Sequence, residues 1–251
     1  MNNAFDLAGK TAIVTGSCKG LGRGMAVGLA GAGADVVLVD RDEATDTAKV
    51  IESMGRKALT ISADLMSIEP IPSIMENTLA TFGKVDILIN NAGTIRRTPA
   101  IDFSEKDWDD IMAVNAKTVF FFSQAVARDM VKRKSGKIIN IASLLSFQGG
   151  ILVPSYAASK GAVAQVTKAL ANEWASLGIN INAIAPGYMA TDNTKALRED
   201  AVRSKAILDR IPAGRWGTPG DLADVAVFLA SSASDYINGH ILVVDGGWMA
   251  R

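Results

Sequence analysis

Short β-rich runs alternate with longer amphipathic segments along the whole chain. The runs are TAIVT (Thr11 to Thr15), DVVLV (Asp35 to Val39), ALTIS (Ala58 to Ser62), DILIN (Asp86 to Asn90), KIINIA (Lys137 to Ala142), NINAIA (Asn180 to Ala185) and ILVVD (Ile241 to Asp245), and they read as seven strands. Helical patterns fill the intervals, roughly Gly20 to Ala32, Asp42 to Met54, Ile68 to Phe82, Ser104 to Lys132, Ser155 to Leu177 and Pro219 to Leu229, each long enough for a crossover. This alternation predicts an α/β fold, a parallel sheet with helices on both faces. Cap chemistry agrees: Ser104 precedes Glu-Lys-Asp, Asp42 follows the second strand, and Gly178 stands just past the segment that begins at Ser155. No linker, low-complexity tract or fixed-period repeat interrupts the series, so a single domain over 1–251 is expected. The stretch 186–219 differs, lacking a clear crossover helix and carrying a helical piece around Ala196 to Asp209. It reads as a substrate-loop region, the alternative being an ordinary surface excursion.

Composition narrows the function. Of the 251 residues 49% are hydrophobic, which suits a sheet buried on both faces. Lys plus Arg and Asp plus Glu both number 26, so there is no basic field to draw nucleic acid or an anionic membrane. Cys18 is the only cysteine and cannot form an intrachain disulfide; the opening MNNAFDLAGK has neither a basic n-region nor an apolar core. No apolar run approaches the roughly eighteen residues that span a bilayer. A cytoplasmic protein is expected. His240 is the only histidine, so histidine triads and multi-histidine metal sites lack material, and no metal is expected.

The first strand runs directly into TGSCKGLG, Thr15 to Gly22, and then into a helix. Gly16, Gly20 and Gly22 permit a tight turn and close backbone approach, so N–H groups at the helix start can face a pyrophosphate. Asp40 ends the second strand twenty residues past Gly20, where an acidic side chain meets an adenosine ribose. Its carboxylate accepts the ribose hydroxyls of NAD and repels the phosphate of NADP; as a plainer alternative it caps the next helix. Lys19 and Arg41 pull the other way, toward NADP. The balance favours NAD.

The stretch SYAASK sets Tyr156 and Lys160 four positions apart, neighbours on one helix face. A phenol titrates near 10, and bringing it to about 7 takes about 4 kcal/mol. An ammonium roughly 4 Å away supplies about that much at an effective dielectric of about 20. Lys160 is therefore expected to make Tyr156 a base, the small residues between them leaving room for a ligand.

With TGSCKGLG, the turn NNAG (Asn90 to Gly93), Asn115, Ser143 thirteen residues before Tyr156, YAASK, and Pro186-Gly187 all in order, the chain resembles the short-chain dehydrogenase/reductase family over essentially its whole length. The resemblance implies a Rossmann-type doubly wound domain and a catalytic tetrad on Asn115, Ser143, Tyr156 and Lys160. It implies that Tyr156 takes a proton from a substrate hydroxyl, that Ser143 hydrogen-bonds the same oxygen, that Lys160 also holds the nicotinamide ribose, and that Asn115 positions a water. It places the cofactor, NAD with NADP as the alternative, on Gly16, Ser17, Lys19, Gly20, Leu21, Gly22, Asp40, Arg41, Asp64, Leu65, Asn91, Ala92, Gly93, Tyr156, Lys160, Pro186, Gly187 and Thr191. It also implies a homotetramer, the apolar tail around Trp248 suggesting a subunit contact. Singly, Ser143 could end a strand, Asn115 be a polar helix residue, Asp64 a cap and Thr191 a helix start; Ser146 is a second serine nearby, but spacing favours Ser143.

Longer stretches, including NNAGTIRR and ASLLSFQGGILVPSY, are similar to family members that act on deoxy sugar acids, in the breakdown of pectin or related uronates. Arg96 and Arg97 follow the fourth strand, at the carboxyl-end crevice where such sheets bind ligands, and either guanidinium could clamp a carboxylate. Gln148 could meet sugar hydroxyls, and Tyr188 and Met189 could line the pocket or simply pack. Two rival functions stay open: an NADPH-dependent 3-oxoacyl or other ketone reductase, and a non-catalytic cofactor-binding regulator.

Overall fold

The computed structural model describes residues 4–251; Met1 to Asn3, part of the opening stretch read for a leader, lie outside them. Seven strands form one parallel sheet: β1 (Thr11–Thr15), β2 (Asp35–Asp40), β3 (Ala58–Ser62), β4 (Ile87–Asn90), β5 (Gly136–Ile141), β6 (Ile179–Pro186) and β7 (Ile241–Val244). Their spatial order is β3-β2-β1-β4-β5-β6-β7. Every pairing is parallel. The chain reverses its winding between β1 and β4, which opens a crevice above the carboxyl ends of those two strands.

Helices cover both faces because successive strand residues point opposite ways. Val14, Val36, Leu38 and Ile89 turn to one side, against Met25 and Leu29 of α1 (Gly20–Gly31) and Leu222 and Leu229 of α9 (Pro219–Ala230). Ile13, Val37, Leu88 and Ile138 turn to the other. There they meet Ile74 of α3 (Ile71–Phe82), Phe122 and Met130 of α5 (Thr118–Arg133) and Leu170 of α6 (Pro154–Trp174). A fully buried side chain of this size is worth about 1.5–3 kcal/mol, so two such layers account for a buried sheet with nearly continuous apolar strands. At the other end of the strands Asp86 anchors the framework. Its carboxylate accepts from Thr11 N and pairs with Lys84 and with Arg133 at 3.0 Å.

Two expected boundaries fall elsewhere. The helix after β2 begins at Thr45, not Asp42, and has no side-chain cap; α2 is Thr45–Ser53. The helix expected from Ser104 to Lys132 is broken into α4 (Glu105–Met112), a π-helical turn (Ala113–Lys117) and α5. Ser104 does cap α4, accepting from Asp107 N at 3.1 Å. Gly178 closes α6 and its last 3₁₀ turn in the left-handed region, φ 82°. The stretch after β6 carries two helices, α7 (Lys195–Glu199) and α8 (Ala201–Arg210), where one piece was expected. Among the described residues no helix is long and apolar enough to cross a membrane.

Candidate active site

The crevice at the winding reversal is a cavity of about 440 Å³ that runs from Asp40 and Asp64 at one end to Tyr156 and Lys160 at the other. Its floor is the loop after β1. Gly16 adopts φ 66°, and a Cβ there would lie 2.8 Å from Asn91 Nδ2. Gly22 is tighter still, since a Cβ would lie 1.9 Å from Gly16 O, so the first turn of α1 sits directly against the loop. Asn91 braces both, donating to Thr15 O at 2.9 Å and Gly16 O at 3.0 Å. The start of α1 has no side-chain cap and no acidic residue in its first turn, unlike α9, where Asp221 accepts from Thr218 N at 2.7 Å. Uncapped N–H groups of this kind suit a pyrophosphate.

Asp40 closes the far end. Oδ2 accepts from Cys18 N at 2.8 Å and Oδ1 from Arg41 N at 2.8 Å and Asp42 N at 3.5 Å, leaving a lone pair of Oδ2 for a ribose hydroxyl. Lys19, Gly20, Leu21, Arg41, Asp64, Leu65, Ala92, Gly93 and Thr191 also line the cavity. Ser17 is fully buried with its hydroxyl toward Val39 O, and Pro186 is buried at the end of β6. Gly187 bonds Val244 O beneath the cavity. These residues shape the loops rather than line the space. A dinucleotide fits: a glycine floor without room for side chains, uncapped donors at a helix start, and a free-edged carboxylate at the correct end.

At the other end, α6 presents Tyr156 and Lys160 on one face. Lys160 is 5% exposed, and its ammonium donates to Ile141 O, the last carbonyl of β5, at 2.6 Å. It lies 5.6 Å from the centre of the Tyr156 ring. Ser143 follows β5; its hydroxyl accepts from Leu145 N at 3.2 Å and acts on the Tyr156 phenol to lower it. Its neighbour Ser146 is occupied in the scaffold, donating to Lys160 O at 2.7 Å and accepting from Ser143 N. Asn115 is fully buried on the π-helical turn. Its amide accepts from Thr94 N at 2.9 Å and donates to Thr94 O at 2.9 Å and Ser159 Oγ at 3.2 Å, tying the loop after β4 to α6.

The electrostatics correct the expectation drawn from helical spacing. Burial pushes the Tyr156 phenol up, against smaller opposing effects of the Ser143 hydrogen bond and the Arg97 charge. Burial also lowers Lys160 from 10.5 to about 8. The cation was expected to dominate; in this site desolvation does, because the ammonium is turned to a strand carbonyl and is itself removed from water.

The two arginines separate: Arg96 is among the residues lining the cavity and Arg97 is not. Arg96 donates to Thr94 Oγ1 at 3.1 Å and stands 3.5 Å from Asp107. Arg97 donates to Asn193 O at 3.1 Å, and its charge reaches Tyr156. Met189 does not line the pocket: it is 4% exposed, belongs to the core beneath α1, and pairs with Gly217 in an isolated bridge. Tyr188 is held in an aromatic cluster, 5.7 Å from Trp216 and 4.6 Å from Trp248 between ring centres, so packing fixes it. Gln148 is half-buried and only its backbone is engaged, with Leu144 O. Sequence reasoning missed Asp192 and Asn193, which line the cavity from the stretch after β6. Asp192 stands beside Thr191, and its charge in a loop at a strand end was the available signal. It also missed Ile141 O, which as a main-chain atom leaves no mark in sequence.

A family model described as enoyl-(acyl carrier protein) reductase matches residues 16–249. The 2-dehydro-3-deoxy-D-gluconate 5-dehydrogenase of Dickeya dadantii (strain 3937) is 61% identical over 250 residues, covering 99% of each chain. The chain belongs to the short-chain dehydrogenase/reductase family. The Escherichia coli (strain K12) enzyme of the same name as the Dickeya one is 59% identical over 250 residues, again covering 99% of each chain. Among solved structures, an Agrobacterium tumefaciens protein described as a candidate 2-deoxy-D-gluconate 3-dehydrogenase, with bound NADP, superposes with a TM-score of 0.91 at 53% identity, covering 100% of both chains. The protein is thus an oxidoreductase of this family, with a nicotinamide dinucleotide, NAD or NADP, as its cofactor.

Proposed function

We propose that the protein is an NAD-preferring dehydrogenase that interconverts a secondary hydroxyl and a ketone on a deoxy sugar acid of the 2-dehydro-3-deoxy-D-gluconate or 2-deoxy-D-gluconate type. The observation that carries this is the meeting, at one end of a dinucleotide-shaped cavity, of Tyr156 with Lys160 beside it, with Ser143 and the Arg97 charge close enough to act on the phenol. Arg96 is committed to Asp107 and Thr94, whereas Arg97 spends one donor on Asn193 O and keeps the rest of its fork for a carboxylate. The names of the most similar relatives support the same substrate class.

A nicotinamide dinucleotide bound along the cavity would supply the hydride acceptor or donor for the reacting carbon. Tyr156 and Ser143 hold the substrate oxygen between their hydroxyls. In reduction Tyr156 gives its phenolic proton to that oxygen; in oxidation the phenolate takes the proton away, and Ser143 donates to the oxygen as it becomes a carbonyl. Because burial raises Tyr156, the protonated acid prevails near neutrality, and the base form gains with rising pH. Lys160, fixed by Ile141 O, offsets phenolate charge and would hold the nicotinamide ribose. Asn115 keeps the Thr94 loop against α6, and its family role in organising a water is retained in this reading. Thr191, Asp192 and Asn193 of the stretch 186–219 supply part of the cavity wall.

The test is a spectrophotometric panel of aldonic acids, deoxy-ketoaldonates and simple alcohols or ketones with NAD and NADP. Turnover confined to acid-bearing deoxy sugars, faster with NAD, is expected. Activity only on acyl or other lipid-like ketones with NADPH would replace this reading with the rival reductase. The same reading carries a cytoplasmic site of action, a role in breakdown of pectin-derived or related uronates, and a homotetramer; a monomer on size-exclusion chromatography would remove the last.

A further inference from the structure

We propose that Asp192, on the loop after β6, is a determinant of cofactor choice that acts through Lys19. The proposal rests on dinucleotide binding along the cavity described above. Lys19 immediately precedes α1, and its Nζ lies 3.2 Å from Asp192 Oδ2. Both side chains are largely exposed, 70% and 73%, and both residues line the cavity, so the pair spans its mouth from the phosphate loop to the 186–219 stretch.

The second cation near the ribose end is also met by an acid. Arg41 Nε stands 4.0 Å from Asp42 Oδ1. Around these two cations the cavity lining carries four carboxylates, on Asp40, Asp42, Asp64 and Asp192. A 2′-phosphate entering here must draw Lys19 or Arg41 away from its carboxylate and then lie beside that carboxylate uncompensated. Ribose hydroxyls need only donate to Asp40. The local charge therefore favours the cofactor without the phosphate, and Asp192 contributes by holding the cation that the phosphate loop itself provides. Consistently, Asp192 raises the Lys19 ammonium above its ordinary 10.5.

Asp192 is the acid whose removal tests this most cleanly. Asp40 is bonded to Cys18 N and takes the ribose, and Asp42 is two residues along from it. Asp192 belongs to another segment, and among the described residues its side chain has no other ion partner. In this role it is a positioning residue: it sets where the Lys19 charge is spent.

The experiment is equilibrium fluorescence titration of NADH and NADPH on the wild type, Asp192→Asn, Lys19→Met and the double variant. An exposed pair contributes at most about 1 kcal/mol, which corresponds to about fivefold in affinity. Asp192→Asn is expected to tighten NADPH by about that factor while NADH changes less than about twofold, and Lys19→Met is expected to cancel the gain in the double variant. Equal changes for the two cofactors, or a gain that survives in the double variant, overturn the proposal. A wild type that binds both dinucleotides, with the ratio unmoved by Asp192→Asn, sinks this inference alone. A wild type that binds neither overturns the underlying functional reading with it.

Discussion

Replacing Lys160 with methionine separates what a buried ammonium costs the fold from what it does in the site. Lys160 is 5% exposed, and burial lowers it from 10.5 to about 8. That difference corresponds to about 3 kcal/mol by which folding disfavours the charged form. The folded value is the lower one, so between these two values the unfolded chain binds the extra proton. Stability therefore rises with pH across that window, and the cost is fully present below it. The hydrogen bond lost to Ile141 O and the change in packing do not titrate, so they cancel when the same pair of proteins is compared at two pH values. Urea denaturation of wild type and Lys160→Met at about pH 7 and about pH 9.5 should show the stability difference moving by about 2 kcal/mol in favour of wild type at the higher pH. A difference that stays flat, or moves the other way, refutes the argument, because it would mean that a neighbouring negative charge already compensates the ammonium. At the lower pH the variant should be folded yet without appreciable turnover.

Three further outcomes follow from distances in the same cavity. Gly22→Ala places a Cβ 1.9 Å from Gly16 O and 2.5 Å from Asn91 Nδ2; a loss of at least about 1–3 kcal/mol and of NADH binding is expected, and wild-type binding in a fluorescence titration would contradict the close approach. Arg97→Ala should raise KM for the sugar acid by about tenfold or more, the worth of a charged hydrogen bond, while Arg96→Ala stays within about threefold because that guanidinium already faces Asp107; equal effects would deny the assignment. Tyr156→Phe should lower kcat by about 10²–10⁴ with NADH affinity unchanged, and in the wild type alcohol oxidation should rise with pH above neutrality while ketone reduction falls, as the raised phenol loses its proton; identical pH profiles for the two directions would argue against Tyr156 as the proton carrier.

Sheet and helices were legible because the strands are buried on both faces: DVVLV or KIINI leaves no polar phase to confuse with a helix, and the observed β2 differs from the expected run by one residue at its end and β5 by one residue at each end. The break at Ala113–Lys117 was not, because apolar residues continue through it. The π-helical turn adds a residue to the local repeat and turns Asn115 inward to full burial, a change of phase that no single residue announces. Tyr188 and Met189 looked available to a ligand because they follow a Pro-Gly turn. Their partners, Trp216, Gly217 and Trp248, lie at least 28 residues further along the chain and are brought in only by the fold.

The four side chains proposed as the tetrad stand out in the sequence, but what holds them is largely main chain, and that follows from register. Ile89 pairs with Ile139 and Asn90 with Asn140, so β5 runs one residue past the end of β4, and the Thr94 loop and Ser143 leave from neighbouring strand ends. Helix α6 then crosses both ends: Lys160 meets Ile141 O, Ser146 meets Lys160 O, and Ser159 meets the amide of Asn115 that grips Thr94. Helical spacing guarantees that Tyr156 and Lys160 are neighbours; it says nothing of where the ammonium points or how dry its surroundings are. Here the strand-end carbonyl wins the ammonium and burial wins over the charge, so Tyr156 waits as an acid near neutral pH. The proton inventory of the site is thus set at the carboxyl end of β5, and a one-residue slip of that strand would move Ile141 O and Ser143 away from α6 together while leaving every motif in the sequence intact.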